Sequence, residues 1–173
     1  PFRSAGGHLH VGKAEGNQAL NDILDDDYGK INTVKVLDIY AGIPSVFLDK
    51  DPTAAARRKL YGGAGAHRPK VEYGVEYRAL GNWWLRSPDF TGVIYQLASA
   101  ALDQLVGGHL GEVLDAIGEA KIQRIINKSD VKGARQVYAQ HILPTLSGGL
   151  AAKIAALDTD KPAPFQQAWQ LAA

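Results

Sequence analysis

Two-residue alternation of polar and apolar side chains, the mark of a half-buried strand, is confined to two short stretches of this chain, and that confinement restricts the fold more than any other feature. In "GGHLHVG", His8 and His10 fall on one side and Leu9 and Val11 on the other. In "KVEYGVEYRAL", Glu72, Gly74, Glu76 and Arg78 share one face, and Tyr73, Val75, Tyr77 and Ala79 the opposite one. Elsewhere the period is helical. Val36, Leu37, Ile39, Tyr40, Ile43, Val46 and Phe47 recur at three and four, with Asn32 or Thr33 as cap and Pro44 as a kink or break. A short helix opens at Asp51 and Pro52 and dissolves at Gly62, Gly63 and Gly65. From Asp89 the helical period runs on, with Ser129 or Asp130 as a cap and a break at Gly148 and Gly149. The expectation is an α+β fold: an antiparallel sheet with one polar face, helices packed behind it, and a helical C-terminal extension onto which Phe165 and Trp169 dock the tail.

Composition narrows the function. A chain of 173 residues is one domain's length and buries a core without staples. With 19 basic against 18 acidic residues and no basic run, nucleic acid is not an expected partner. The absence of cysteine excludes disulfides and zinc–thiolate sites. No uninterrupted apolar run approaches the ~20 residues of a membrane span, so no membrane partner is expected and a cytoplasmic setting is. The chain lacks methionine and opens with Pro-Phe-Arg on a structured element, which reads as part of a longer protein.

Three polar clusters sit on extended or glycine-loosened segments: His8 and His10; Arg57, Arg58 and Arg68; Glu76 and Arg78. Imidazole and carboxylate can hold a divalent ion, and arginines clamp phosphate oxygens, so this is an inventory for phosphoryl transfer. Neither a catalytic cysteine nor a serine in a nucleophile-elbow context is present, and no Walker or dinucleotide-binding glycine pattern occurs. Plainer roles compete. Arg57 and Arg58 equally suit a solvent-facing helix end, Asp25, Asp26 and Asp27 a solvated loop, Trp83 and Trp84 anchors between sheet and helices, and His109 and His141 structural positions.

"RSAGGHLHVG", followed at a distance by "RRKLYGGAGAHRPKVEYGVEYRALGNWW", resembles the phage-type carboxylate-amine ligases (amidoligases) of the glutamine synthetase and glutamate-cysteine ligase superfamily. The resemblance covers roughly residues 1–90. It implies a glutamine synthetase-like sheet, with 1–90 the C-terminal part of the catalytic core and 91–173 a helical extension of the same domain. It implies that His8 and Glu76 hold the metal, and that His10, Arg68 and Arg78 serve catalysis. Arg57, Arg58, Arg78, Gly63 and Gly65 are the implied cofactor-binding residues. ATP with Mg (or Mn) is the implied cofactor, and a carboxylate and an amine, small molecules or peptides, are the implied substrates. The reaction would pass through an acyl-phosphate to an amide, in the host cytoplasm for a phage-encoded enzyme. Ligases of this kind also carry a strand with paired glutamates. The expectation is that a preceding segment, or another chain, completes the site. A non-catalytic ligase-like structural or interaction domain within a phage assembly is the alternative. A metal-dependent hydrolase is disfavoured because it leaves the arginines unexplained.

Overall fold

The structure, a computed structural model, describes residues 6–159 and 163–171; Arg3, Ser4 and Ala5 of the first motif lie outside them. Strand β1 is Leu9–Gly12, followed by helices α1 (Gln18–Asp25), α2 (Asp27–Leu37), α3 (Ile43–Leu48) and α4 (Ala54–Leu60). Strands β2 (His67–Lys70) and β3 (Gly74–Tyr77) come next, and then α5 (Pro88–Val106), α6 (Leu110–Ile117), α7 (Glu119–Lys128), α8 (Val131–Val137), α9 (Gly148–Thr159) and α10 (Phe165–Ala168). The fold is α+β. Its sheet is small and antiparallel, ordered β1-β3-β2, so β3 is central.

The second alternating stretch is a hairpin rather than one strand. Lys70 ends β2, residues 71–73 turn, and β3 begins at Gly74, so Glu72 lies in the turn instead of beside Glu76. Gly74 makes this possible: at φ +146° a Cβ would sit 2.3 Å from the Val11 carbonyl oxygen. Pro69 is tolerated because β2 is an edge strand. Within β3 the predicted faces hold, with Val75 and Tyr77 fully buried against the helices.

The first long helix starts earlier than Asn32, at Asp27. Asp26 caps it by accepting the Gly29 N–H at 2.9 Å, Asp25 pairs with Lys13, and Asp27 pairs with Lys30 at 3.1 Å. The acidic triplet is thus a helix junction rather than a loop. Ahead of Pro44 the helix widens into a π turn at Asp38–Gly42, where the Ile43 N–H reaches the Asp38 carbonyl. Pro44 has no N–H for the regular ladder, and the wide turn absorbs that loss. The stretch Asp27–Leu48 is long and apolar enough to resemble a membrane span, but 83% of its most apolar window is buried in the protein, as befits a core helix.

A single hydrophobic cluster runs from Val11 to Leu157, with α5 packed on α2, the π turn and α9. Gly118 separates α6 from α7, and Asp130 caps α8. Trp83 meets Phe90 edge-on at 5.4 Å and Trp84 donates to the Gly7 carbonyl at 3.3 Å, so both tryptophans tie the sheet region to the helices. Trp169 docks the tail by donating to the Leu85 carbonyl at 2.8 Å, while Phe165 stays largely exposed.

Asp38, buried in the π turn, locks the glycine-rich loop to the sheet. Its Oδ1 accepts the Tyr77 hydroxyl at 2.7 Å and its Oδ2 the Gly65 N–H at 2.7 Å. Gly42 admits that approach, since a Cβ there would lie 2.9 Å from the Tyr77 oxygen. Burial pushes the Asp38 carboxyl up to about 7, against the opposing pull of the Tyr77 and Gly65 bonds. A carboxyl raised on folding stabilises the protein below its unfolded value and loses that contribution as pH rises through its folded value. Denaturant unfolding should therefore show stability falling between about pH 4 and pH 7, by on the order of 4 kcal/mol for this group. Asp38→Asn should flatten the fall; parallel profiles for the two proteins would refute the assignment.

Candidate functional site

The polar face of the sheet is set by register. His10 of β1 and Arg68 of β2 both stand opposite Glu76 of β3. Because side chains alternate, His8, Arg78 and Lys70, each two residues from one of these, join the same face. Glu76 lies at the centre and is 4% exposed. Its Oε1 is 2.9 Å from His8 Nδ1 and 3.6 Å from Arg78 Nε, and its Oε2 is 3.1 Å from Lys70 Nζ and 3.5 Å from Arg68 Nη1. Desolvation pushes its carboxyl upward, but the Lys70 hydrogen bond and the charges of Arg68, Lys70 and Arg78 together hold it below the usual range. Glu76 is therefore an anion at neutral pH, outnumbered by three permanent cations.

Tyr61, just past α4, completes the cluster. Arg78 donates to its hydroxyl oxygen through Nε at 2.8 Å and through Nη2, and lies over the ring at 5.0 Å from the centroid. The same hydroxyl lies 3.2 Å from His8 Nε2. With both guanidinium donors on the phenol oxygen, the phenol proton goes to His8 Nε2, which leaves the imidazole proton on Nδ1, donated to Glu76. Burial lowers the His8 pKa, Glu76 opposes that, and Arg78 and Arg57 add to it. His8 is thus a neutral imidazole in one tautomer, fixed from both sides.

The other sequence-selected residues divide. Arg68, with a side chain 54% exposed, stands at the solvent edge of the cluster. His10 is exposed and bonds the Tyr73 hydroxyl instead of Glu76. Arg57 and Arg58 are not a solvent-facing helix end: they are 6% and 7% exposed. Arg57 donates to the Ala79 carbonyl at 2.9 Å and the Leu80 carbonyl at 2.6 Å. Arg58 donates to Ser129 Oγ at 2.9 Å and Ser45 Oγ at 3.2 Å. The first fixes the backbone leaving β3; the second ties α4 to α3 and to the end of α7.

The glycine-rich loop likewise has partners within the protein. Gly65, at φ +75°, gives its N–H to Asp38, and Ala64 gives its N–H to Asn127 Oδ1 at 2.7 Å. Gly63 lets Asn127 approach, since a Cβ there would lie 2.8 Å from that oxygen. The Ala66 carbonyl accepts the Arg78 N–H at 2.8 Å, so the loop sets the place of Arg78. His67 points to the other face of the sheet, with Nδ1 2.7 Å from the Gly65 carbonyl oxygen.

Lys70, Tyr61, Asp38 and Asn127 escaped the sequence reading. For Lys70 a signal existed, its two-residue spacing from Arg68; the others are brought in by the fold alone. Among the described residues no group of three His, Cys, Asp or Glu side chains is arranged to hold a metal. His8 and Glu76 are one imidazole and one carboxylate; both His8 nitrogens are engaged, Nδ1 by Glu76 and Nε2 by Tyr61, so a divalent ion on His8 would have to displace one of these bonds.

Comparison with known families matches residues 2–110 to the phage phiEco32-like COOH-NH2 ligase type 2 model, a span that takes in the whole cluster. Comparison with curated proteins and with solved structures gave no match.

The tautomer assignment is open to test by NMR titration of the His8 ring. Tyr61→Phe removes a bond to the neutral form, so the midpoint should rise by up to ~1 unit, the size of one ordinary hydrogen bond. A fall would mean that His8 donates to Tyr61.

Proposed function

The chain belongs to the phage phiEco32-like COOH-NH2 ligase type 2 family, and on that premise we propose that it forms amides from a carboxylate and an amine with ATP and Mg (or Mn), on a glutamine synthetase-like sheet. The observation that carries this reading is the sign of the Glu76 cluster: one carboxylate among Arg68, Lys70 and Arg78, on a face open to solvent at Arg68. Such a surface attracts phosphate oxygens.

A carboxylate is a poor electrophile until one of its oxygens takes the γ-phosphoryl of ATP, the bond from that phosphorus to the β–γ bridging oxygen breaking and ADP leaving, which makes the acyl-phosphate. The amine nitrogen then attacks the acyl carbon, the C–O bond to phosphate breaks, and amide, phosphate and a proton leave. No covalent enzyme intermediate is required, so the protein's tasks are positioning and neutralisation. Arg68 and Lys70 bind the transferred phosphoryl oxygens from the β2 side. Arg78 neutralises them from the end of β3, held at the right height by Tyr61 and by the Ala66 carbonyl. His8 and Glu76 would hold the metal, which when bound offsets phosphate charge. His10, exposed beside them, contacts the substrate's anionic groups. Arg57 and Arg58 act at one remove by fixing the backbone around Arg78 and α4.

Two carboxylate and imidazole ligands leave room for more. β1 pairs only with β3 among the described residues, so its other edge can accept an extended segment bearing further carboxylates, from elsewhere in the polypeptide or from another chain. Such a segment would also lessen the cluster's positive excess. A second reading, a ligase-like domain without catalysis, is favoured by the Ala64 and Gly65 amides, which already have protein partners.

Calorimetric titration separates the two. Magnesium-ATP should bind the full chain, and Arg68→Ala should weaken it about tenfold, as expected for one charge-assisted phosphate contact. Glu76→Gln should retain affinity for metal-free triphosphate while losing the gain that magnesium confers. Absence of binding to wild type and variants alike would favour the non-catalytic reading.

A further inference from the structure

Behind the sheet, on the face opposite Glu76, lies a cavity of about 200 Å³ between α2, α6, α7 and the Gly65–His67 segment. Its wall is largely apolar, built by Ile31, Val34, Leu114 and Ile122. Asp38, His67 and Gln123 are the polar side chains that line it beside them. A Lys35–Glu119 ion pair at 2.6 Å borders it.

The charge arrangement there is unusual. Lys35 stands one helical turn before Asp38, where it would be the natural counterion, yet it is turned to Glu119. The two bonds that Asp38 accepts come from a phenol and a backbone amide, both neutral donors. Its carboxylate oxygens retain lone pairs with no cationic partner among the described residues. An ionised carboxylate in an apolar surrounding is stabilised most by a cation that brings its own desolvated contact. The paired Lys35 and Glu119 cancel each other, so above about pH 7, where Asp38 is ionised, neither of them balances its negative charge.

We propose that this cavity binds a short-chain alkylammonium ligand, with the ammonium on the Asp38 carboxylate and the alkyl body against Ile31, Val34, Leu114 and Ile122. The volume admits a small aliphatic molecule and not a nucleotide. A carboxylate ligand would meet Asp38 as a like charge, and a neutral alcohol would fill the same space without the ion pair. Occupancy also bears on the opposite face of the sheet. Asp38 holds the Gly65 N–H, and one residue later the Ala66 carbonyl holds the Arg78 N–H, so a ligand on Asp38 loads the segment that seats Arg78. The site needs neither phosphate nor metal and stands or falls apart from the ligation chemistry.

Isoamylamine, isoamyl alcohol and isovalerate share one carbon skeleton and differ in head group. Titrated into the full chain at pH 8 and followed by backbone amide NMR, the amine should saturate with shifts centred on Val34, Gly65 and Ile122. It should bind about tenfold or more tightly than the alcohol, the value of a charge-assisted bond, and isovalerate should leave these amides unmoved. Asp38→Asn should bring the amine down to the alcohol's affinity. Leu114→Trp, which fills the cavity from a partly buried wall position, should abolish both. Equal binding of amine and alcohol to the wild-type chain would overturn the proposal. So would shifts centred on the Glu76 face, or no saturable shift with any of the three; these outcomes need no variant to fold.

Discussion

A carboxylate nearly sealed inside a sheet face has to be met by donors, and Glu76 dictates the arrangement of everything around it. It is placed on the central strand, where both neighbours can reach it. β2 answers with Arg68 and Lys70, β1 with His8, and its own strand with Arg78. A buried charge lacking such partners would cost several kcal/mol, so the position of each of these side chains is a condition of folding as well as a property of the site. Tyr61 extends the chain of dependence. It accepts two hydrogen bonds from Arg78 and donates one to His8, and so converts a set of flexible side chains into a directed network.

Strand β3 is paired on both sides through Tyr77, and the backbone then leaves the sheet with carbonyls that still need donors. Arg57 supplies them at Ala79 and Leu80, and Gly7 adds its N–H to Leu80. On the other side of the same strand, Asp38 takes the Tyr77 hydroxyl and the loop amide at Gly65. A buried guanidinium and a buried carboxylate thus satisfy backbone and side-chain groups that secondary structure leaves open. This explains why the turn into Arg78 keeps its shape on so short a strand.

The polar and apolar faces of both strands were legible in the sequence, because a period of two needs no tertiary knowledge. His8, Glu76 and Arg78 were found for the same reason, Arg68 from its place beside the glycine-loosened segment, and the structure brings His8, Arg68 and Arg78 onto Glu76. The hairpin at residues 71–73 was not legible: no Pro, Asn or Asp marks the turn, and Pro69 inside β2 looks like a breaker unless the strand is known to be an edge. Helix starts were displaced for a related reason, since Asp26 reads as one of three solvated acids until its bond to the Gly29 amide is seen. Arg57 and Arg58 show the deeper limit. Arginine on a helix end predicts solvent, and only the carbonyls and hydroxyls that converge from Ser45, Ala79, Leu80 and Ser129 make burial favourable.

The sheet separates two electrostatic environments across its own thickness. Its outer face gathers Arg68, Lys70 and Arg78 about one carboxylate, and its inner face holds Asp38 with neutral donors alone. The outer face carries net positive charge despite Glu76, so a bare divalent ion is disfavoured there and an anion favoured. The two faces are joined through adjacent residues, Gly65, whose amide Asp38 holds, and Ala66, whose carbonyl holds Arg78. Charge placed on either face therefore acts on the same short loop, which Gly62 and Gly65 shape with backbone conformations that other residues rarely adopt.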